Sequence, residues 1–514
     1  MSGSSQPNIL LVMADQLAVP AMPFHGDPVT QAPALSSLAE RGVVFDAAYT
    51  PSPLCAPARA SLMTGCLPSR TTTYDNAAPF PSDLPTFAHY LREAGYRTVL
   101  VGKMHFCGPD QLHGFEERLT TDIYPADFGW TPNWDDLGHR PHWYHDMSSV
   151  TDAGPCVRSN QLDFDDEVAF AAERLIYEHV RSDDDRPFCF VVSFTHPHDP
   201  YTTIREWWDR YDDADIALPH HSYDADVATP HEDRLRFICE TDKVDLTQEQ
   251  IRAALRAYRG SVSYVDDKVG RLLRALGETE QDDDTIVILT SDHGDMLGER
   301  GLWYKMSFFE GSARVPLVVS APGRFAPRRV AASVSTVDLL PTLVELATGD
   351  ASDVVDDLDG ASLVPLLTGD TQEHQPTLCE YLAEGAAAPI VMVREGDLKL
   401  VRSPADPDQL YDLAADPSER TNLATSTERA ADLARLSALA DDRWELETLD
   451  IAVRLSQRRR RLIDDAVKKG QAPRWDHQPQ TDASQMYIRN HMDLGALEAR
   501  ARYPSVGGTT ATDP

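Results

Sequence analysis

Short apolar runs rich in β-branched residues alternate with helical patterns along most of the chain. The apolar runs predict strands at residues 9–13, 98–101, 188–194, 285–290 and 315–320. The helical periodicity between them predicts helices at residues 33–41, 84–94, 164–181 and 247–276. Strands that alternate with helices are typical of a mostly parallel sheet with helices on both faces. The sequence therefore predicts a large α/β domain.

The pattern changes near residue 373. Residues 378–382, 390–394 and 398–402 have the composition of short antiparallel strands, and helical periodicity resumes at about residues 428–469. The tail from Gly470 onward is polar and rich in proline. We therefore expect three units, at residues 1–375, 376–469 and 470–514: a large α/β domain, a smaller α+β domain with an antiparallel sheet, and a C-terminal tail.

Two segments differ from the rest of the chain: one lacks the periodicity of a helix or strand, and the other is basic in an acidic protein. Residues 120–155 lack periodicity and are rich in Trp, His, Asp and Pro, and a loop of that length inside a compact domain is usually functional. The basic run at residues 458–461 lies in the predicted C-terminal helix, where we interpret it as a solvated face or a subunit contact.

Charge excludes one class of partner. The 514 residues include 82 acidic and 47 basic side chains, which gives a formal net charge of -35. A nucleic-acid-binding protein needs a basic surface, so nucleic acid is not an expected partner. The acidic excess is either a solvated surface or a field that attracts a cationic substrate, and composition leaves both open.

Cysteine usage and the N-terminal segment favour the cytoplasm. The seven cysteines are scattered without paired spacing, which is typical of reduced thiols. The first residues lack the basic start and cleavage site of a signal peptide, and no apolar run is long enough to span a membrane. We therefore expect a cytoplasmic protein that does not associate with membranes.

The strongest chemical signal is the segment Cys55-Ala56-Pro57-Ala58-Arg59. By itself, Cys55 is either a thiolate nucleophile of low pKa or a buried structural cysteine. A second segment contains Gly102-Lys103-Met104-His105. Together the two segments resemble both signatures of the sulfatases, whose motif cysteine is oxidised to formylglycine. The resemblance implies an α/β fold of the alkaline-phosphatase and sulfatase type.

Other polar residues extend this resemblance. The first predicted strand is followed by Asp15 and Gln16, and a later one by Asp292 and His293. The resemblance implies that these four residues, with the formylglycine derived from Cys55, bind one divalent metal ion. An imidazole in place of an oxygen ligand shifts the preference from Ca²⁺ toward Mn²⁺, so we expect one of these two ions.

The resemblance also implies a role for each catalytic residue. Arg59 and Lys103 would stabilise formylglycine and the transferring group, and Asp292 would accept the nucleophile's proton. His105 would take a proton when sulfate leaves. The remaining polar residues would contact the leaving oxygen or the sulfuryl group, namely His198, Lys305 and Asn76. His196 competes for the role of His198, which we prefer from related Pro-His-x-Pro segments. Four of the predicted strands precede Asp15, Lys103, His198 and Asp292, and sites in α/β sheets form beyond the carboxyl ends of strands.

Flanking segments resemble the choline-sulfatase branch of the family, in particular residues 50–59, 108–130 and 489–494. This resemblance implies a sulfuric-ester hydrolase that cleaves choline sulfate to choline and sulfate. A phosphonate monoester hydrolase, a phosphodiesterase or an arylsulfatase of the same fold is the alternative. A binding protein in which Cys55 is never oxidised is a third possibility.

A trimethylammonium group is bound by aromatic faces and carboxylates, because it cannot donate a hydrogen bond. We therefore expect Trp130 and His145 to contact it, and the resemblance implies that Glu380 does so as well. The resemblance implies an oligomer, a dimer or tetramer, in which Asp493 of the tail closes a neighbour's site. It also implies a maturation enzyme that converts Cys55 to formylglycine.

Overall fold

The strands follow the predicted apolar runs closely. The computed structural model describes residues 6–212, 214–491 and 493–504. Its strands are β1 Asn8–Ala14, β2 Val43–Tyr49, β3 Arg97–Gly102, β4 Glu117–Arg118, β5 Gly154–Cys156, β6 Phe188–Phe194, β7 Thr202–Ile204, β8 Thr285–Thr290, β9 Arg314–Ser320, β10 Arg328–Ser335, β11 Thr377–Tyr381, β12 Ile390–Glu395, β13 Leu398–Ser403 and β14 Asp406–Asp412. The five strands predicted for the large domain are present, whereas β2 and β10 were not predicted.

Within the described residues, eight strands form the large sheet in the order β10-β2-β9-β8-β1-β6-β3-β4. The central strands β8, β1, β6 and β3 are parallel to their neighbours in this group, as predicted. The exception is β9, which is antiparallel to both β2 and β8. The α/β prediction is confirmed, with this one antiparallel strand inside the sheet.

Helices cover both faces of the large sheet. The α-helices are α1 Pro33–Arg41, α2 Cys55–Thr64, α3 Pro68–Thr71, α4 Phe87–Glu93, α5 Ser148–Thr151, α6 Asn160–Arg181, α7 Arg205–Trp208, α8 Pro230–Ile238, α9 Gln248–Glu278, α10 Glu310–Ala313, α11 Leu339–Thr348, α12 Val364–Thr368, α13 Ala430–Arg443, α14 Leu446–Val467 and α15 Leu494–Ala501. Alternate residues of β1 enter two different cores: Leu10 and Val12 pack on one face, and Ile9 and Leu11 on the other. This arrangement explains why the central strands are continuous apolar runs.

The C-terminal part contains a second sheet. Strands β11, β12, β13 and β14 form an antiparallel sheet, so the three predicted strands are confirmed and a fourth is added. The helical stretch predicted at residues 428–469 is divided into α13 and α14. In the tail, α15 is described, while residues 505–514 lie outside the described residues. Among the described helices, none combines the length and the apolar character needed to cross a membrane.

Candidate active site

Polar residues converge beyond the carboxyl ends of the central strands. Asp15 follows β1, Lys103 follows β3, His198 follows β6, and Asp292 follows β8, and all four are buried. Lys103 forms an ion pair with Asp15, and Arg59 Nε donates to Asp292 Oδ2 at 2.8 Å. The predicted convergence is therefore present, because parallel strands deliver their following residues to one edge of the sheet.

Gly102 allows Lys103 to approach the site. Its φ is +107°, and a Cβ atom at this position would lie 2.0 Å from the carbonyl oxygen of Ser193 on the neighbouring strand. Only glycine tolerates both the backbone conformation and the close contact. The chain next to the site also takes left-handed conformations at Gln16, His105 and Tyr304, with φ of 62°, 56° and 68°. Such non-glycine conformations are concentrated at functional sites.

Cys55 is the first residue of the fully buried helix α2. Its Sγ lies 3.2 Å from His293 Nε2, 3.5 Å from Lys103 Nζ and 3.9 Å from Asp15 Oδ1. A helix N-terminus favours a bound anion, which suits a sulfuryl group at this position. Burial raises the pKa of the unmodified Cys55 thiol to about 12. At neutral pH, the unmodified residue is therefore a thiol and lacks the low pKa of a thiolate nucleophile.

Four buried side chains provide a compact set of metal ligands. Asp15, Cys55, Asp292 and His293 each offer one ligand atom, and these atoms lie within 4.8 Å of one another. His293 Nδ1 donates to the carbonyl oxygen of Gly294 at 3.0 Å, since a carbonyl can only accept. Burial lowers the pKa of His293 to about 3, so the ring is neutral and its lone pair is on Nε2, beside the Cys55 sulfur. Two carboxylates and an imidazole fit a divalent cation.

Gln16 lies beside this group. Its Nε2 donates to Asp295 Oδ2 at 2.7 Å, and its Oε1 accepts from Lys305 Nζ at 2.8 Å. Asp295 also accepts from the hydroxyl of Tyr201 at 2.7 Å, which fixes the acceptor that orients Gln16. An amide oxygen has a second lone pair, so the role of Gln16 as a metal ligand stays a prediction.

Two buried cations balance the carboxylates. Besides Asp292, the Arg59 guanidinium donates to Ser193 Oγ at 2.8 Å and to the carbonyl oxygen of Lys103 at 2.5 Å. Burial lowers the pKa of Lys103 to about 7, and its Nζ lies 4.3 Å from the centre of the Tyr124 ring. Arg59 therefore forms ion pairs with the carboxylates of Asp15 and Asp292, while Lys103 Nζ lies beside the Cys55 sulfur.

The structure brings His198, and not His196, to the site. His198 Nε2 lies 2.7 Å from Lys305 Nζ, and its Nδ1 donates to the carbonyl oxygen of Asp199 at 2.7 Å. His196 Nδ1 instead contacts Asp165 at 2.7 Å, where it is buried away from the site. Burial, followed by the nearby Lys305 charge, holds the pKa of His198 well below its usual range. In this state His198 is neutral and accepts from the Lys305 ammonium group.

Asn76 and His105 line the same cavity as Cys55. Asn76 Oδ1 accepts from the backbone N–H of Ala56 at 2.9 Å, which leaves its amide nitrogen to donate elsewhere. Within the described chain, neither ring nitrogen of His105 has a hydrogen-bond partner, although both are buried. Burial lowers the pKa of His105 to about 3, so the ring is a neutral base.

These side chains border a cavity of about 240 Å³. This volume lies just below the usual range of ligand pockets, so the cavity suits a small molecule. Its lining residues are Cys55, Asn76, His105, Tyr124, Trp130, Trp143, Tyr144, His145, Gln161, His198, Asp199, Pro200, Lys305 and Glu384. The polar residues around Cys55 form part of the lining, and the loop at residues 120–155 provides most of its aromatic side chains. The functional importance expected of that loop is consistent with this position.

Glu380 is a correction to the sequence analysis. It was expected to contact the cation, but its fully buried carboxylate accepts from Ser69 N and Ser69 Oγ, both at 2.6 Å, and from Trp444 Nε1 at 2.6 Å. It does not line the cavity. The acidic residue that does is Glu384, in the loop after β11. Ser69 and Trp444 are distant in sequence from Glu380, so local pattern did not reveal them.

Sequence reasoning missed Glu384, and it also gave no role to Tyr124, Tyr144 and Gln161. A signal for Glu384 existed: it is the one acidic residue among small residues in the segment Ala383-Glu384-Gly385-Ala386-Ala387-Ala388. The predicted residues Trp130 and His145 do line the cavity. His145 stacks on Tyr304 with ring centres 4.4 Å apart.

Asp493 lies away from the cavity of its own chain. It caps the exposed helix α15, whose Leu497 borders a surface groove together with Arg174 of α6. Gln161 lines the cavity near the other end of α6, so about 20 Å of helix separates the two places. Met492, in the same tail segment, lies outside the described residues. The role of Asp493 in a neighbouring subunit stays a prediction.

Comparisons with known proteins agree with this geometry. The profile of the sulfatase family matches residues 7–349. Two further profiles match the C-terminal part: "Choline sulfatase enzyme C terminal" at residues 451–503 and "N-sulphoglucosamine sulphohydrolase, C-terminal" at residues 298–442.

Whole-length relatives give the same result. The choline-sulfatase of Rhizobium meliloti (strain 1021) is 50% identical over 98% of this chain and 99% of its own length. An arylsulfatase of Clostridium perfringens is 28% identical over 82% of this chain and 91% of its own length. The phosphonate monoester hydrolase of Agrobacterium radiobacter has a TM-score of 0.68 at 25% identity, covering 88% of this chain and 96% of its own. The chain therefore belongs to the sulfatase family.

Proposed function

We propose that the enzyme hydrolyses choline sulfate to choline and sulfate. The observation that carries this proposal is the Glu384 carboxyl group, which lines the cavity together with aromatic side chains, and we call this part of the lining the cation end. Glu384 is 5% exposed, and its carboxylate accepts a hydrogen bond from its own backbone N–H. Trp130, Trp143 and Tyr144 line the same cavity. A carboxylate beside aromatic rings suits a cation that cannot donate hydrogen bonds.

The part of the lining around Cys55, which we call the sulfuryl end, suits a sulfuryl group. Cys55, Asn76 and Lys305 line it, and the N-terminus of α2 lies there as well. An anionic group at one end and a cationic group at the other match the two charges of choline sulfate. The choline-sulfatase name of the Rhizobium meliloti relative supports the same substrate.

Catalysis would require the maturation of Cys55 and one metal ion. Oxidation of Cys55 to formylglycine by a maturation enzyme would supply a hydrated aldehyde as the oxygen nucleophile. Asp15, Gln16, Asp292 and His293 would hold a divalent ion, Ca²⁺ or Mn²⁺, whose charge lowers the pKa of that hydroxyl group. The neutral His293 ring described above is suited to this role.

The remaining residues would stabilise charge and move protons. Lys103, supported by Arg59, would stabilise negative charge on the transferring group, and the amide nitrogen of Asn76 would donate to a sulfuryl oxygen. The Lys305 ammonium group, whose Nζ lies 2.7 Å from His198 Nε2, would protonate the departing choline oxygen, and the neutral His198 ring would hold that group in position. The buried, neutral ring of His105 would accept a proton when sulfate leaves.

We also propose a cytoplasmic homo-oligomer, a dimer or a tetramer. None of the seven cysteines forms a disulfide, in keeping with a reducing compartment. The side of α14 that faces solvent exposes Ile451, Leu455, Leu462 and Ile463. An apolar stripe of this kind is typical of a surface that a partner covers, and a second copy of the chain is the partner we favour.

The test compares choline sulfate with 3,3-dimethylbutyl sulfate, in which a neutral carbon replaces the quaternary nitrogen. Peptide mass first confirms formylglycine at residue 55 in each preparation. We expect the matured enzyme to prefer choline sulfate, and Glu384→Gln to raise its KM about tenfold while changing the KM of the neutral ester little.

A phosphonate monoester and 4-nitrophenyl sulfate are assayed in parallel. Faster turnover of the phosphonate than of choline sulfate would overturn the proposed substrate in favour of phosphonate hydrolysis. If wild type and Glu384→Gln discriminate equally between choline sulfate and 3,3-dimethylbutyl sulfate, Glu384 does not bind the cation.

A further inference from the structure

One face of α14 contacts three segments that build the cavity. Arg454, Gln457 and Arg460 are spaced three residues apart and therefore lie on the same side of the helix. We call these three residues the clamp face. Arg460 is 3% exposed, in contrast to the solvated face or subunit contact expected for the basic run at residues 458–461. Arg459, its neighbour in that run, is exposed as expected.

Arg460 connects the two ends of the cavity. Its Nη1 and Nη2 donate to both carboxylate oxygens of Asp75, at 2.7 and 2.6 Å. The same Nη1 also donates to the hydroxyl oxygen of Thr131 at 3.1 Å. Asp75 precedes Asn76 at the sulfuryl end, and Thr131 follows Trp130 at the cation end. One planar guanidinium group therefore links the segments that carry both residues.

The other clamp residues hold the cation end. Gln457 Oε1 accepts from the backbone N–H of Trp134 at 2.9 Å. Arg454 donates to the carbonyl oxygens of Trp134 at 2.8 Å and Ala387 at 2.7 Å. The Trp134 indole donates to the carbonyl oxygen of Ala383, next to Glu384, at 2.8 Å. The clamp face thus holds the loops of both Trp130 and Glu384.

We infer that Arg460 is a positioning residue that fixes the separation between the sulfuryl end and the cation end of the cavity. This inference rests on the proposed function, because it concerns a substrate with charge at both ends. A bidentate arginine–carboxylate pair has a fixed geometry, and burial excludes the water that would compete for it. Small displacements of binding groups reduce rates strongly, so a fixed separation favours a substrate of one length.

The experiment measures the ratio of kcat/KM for choline sulfate to kcat/KM for 3,3-dimethylbutyl sulfate in the full-length, matured enzyme. Thr131→Val removes the contact at the cation end and leaves the Arg460–Asp75 pair intact. We expect this variant to reduce the ratio about fivefold or more, mainly through the KM of choline sulfate. Thr131→Ser keeps the hydroxyl group and should restore the wild-type ratio.

A second variant addresses Arg460 itself. Arg460→Met alone leaves the Asp75 charge buried without its partner and risks unfolding. It is therefore combined with Asp75→Asn, so that the double variant lacks both charges. We expect the double variant to fold, to lose the selectivity ratio, and to lose kcat on 4-nitrophenyl sulfate through Asn76. Arg459→Met, on the exposed side of the same helix, is the matched control. It should fold, keep the wild-type ratio and keep the wild-type kcat on 4-nitrophenyl sulfate.

Two outcomes would overturn the inference. In the first, Thr131→Val and the double variant keep the wild-type ratio, whatever their melting temperatures. In the second, Thr131→Ser loses the ratio as completely as Thr131→Val. A wild-type enzyme that does not prefer choline sulfate would instead refute the proposed function, so the two failures are distinguishable.

Discussion

Glu380 and Glu384 are both buried, and burial raises the pKa of both, but their surroundings differ. Glu380 has donors from Ser69 and Trp444 on its carboxylate, whereas Glu384 faces the cavity. A buried carboxylate needs a partner, and for Glu384 a bound cation would be that partner. At the residue scale, the candidate specificity of the site therefore depends on which of the two glutamates is already bonded to donors from distant parts of the chain.

This difference predicts a pH dependence. Burial raises the pKa of Glu384 to about 7, so its carboxyl group becomes neutral as the pH falls through that value. Because binding of a cation needs the carboxylate, we expect the KM of choline sulfate to rise as the pH falls below about 7. The profile is measured with both alkyl sulfates on either side of that pH. The KM of the neutral ester, and the KM of choline sulfate with Glu384→Gln, should not rise in this way. If the rise persists in Glu384→Gln, another group titrates.

The paired Lys305 and His198 predict a dependence on the leaving group. Choline leaves as a poor alkoxide and needs a proton, whereas 4-nitrophenolate is stable without one. We expect His198→Ala and Lys305→Ala to reduce kcat on choline sulfate about 100-fold or more, and to affect 4-nitrophenyl sulfate much less. Steady-state kinetics on both esters measures the difference. Equal losses would mean that these residues bind the sulfuryl group and do not assist departure.

At the scale of elements, Glu380 connects β11 to two helical segments. It accepts from Ser69 in α3 and from Trp444 at the junction between α13 and α14. The junction is also where the predicted single helix is divided. Glu380 thus anchors the C-terminal helices, including the clamp face, to the small sheet.

We expect Glu380→Ala to lower the free energy of unfolding by about 2–4 kcal/mol, because three donors lose their buried acceptor. Urea unfolding, monitored by circular dichroism, measures this change. Glu380→Gln keeps one acceptor oxygen and should lose less. A higher KM for choline sulfate with an unchanged unfolding midpoint would contradict the anchoring role. It would indicate instead that Glu380 contacts the substrate cation.

At the scale of the whole molecule, two surfaces of the C-terminal part face away from the cavity of the same chain. One is the apolar stripe on α14, where Ile451 is 67% and Leu462 71% exposed. The other is the tail, where Asp493 caps an exposed helix. Both surfaces fall within the region that matches the choline-sulfatase C-terminal profile. Contact with a second subunit would give both a function.

Truncation after Gly470 tests this assembly. If the tail of one subunit closes the site of another, truncation should reduce the oligomeric mass in sedimentation and raise the KM of choline sulfate, while sparing 3,3-dimethylbutyl sulfate. Asp493→Ala should change only the KM, because the rest of the tail remains. A truncated enzyme that keeps its oligomeric state and its KM would refute the shared site and leave Trp130 and Glu384 to hold the cation.

The central strands and the polar residues that follow them, including Asp15 and Asp292, can be predicted from the sequence. These features depend on local periodicity and on strand ends, which the chain specifies within a few residues. Folding, by contrast, distinguishes Glu380 from Glu384 and buries Arg460 inside a run whose composition predicts a solvated face. Both depend on partners distant in the sequence, Trp444 for Glu380 and Asp75 for Arg460. A local pattern shows that a side chain is charged, but its role depends on whether folding supplies the opposite partner.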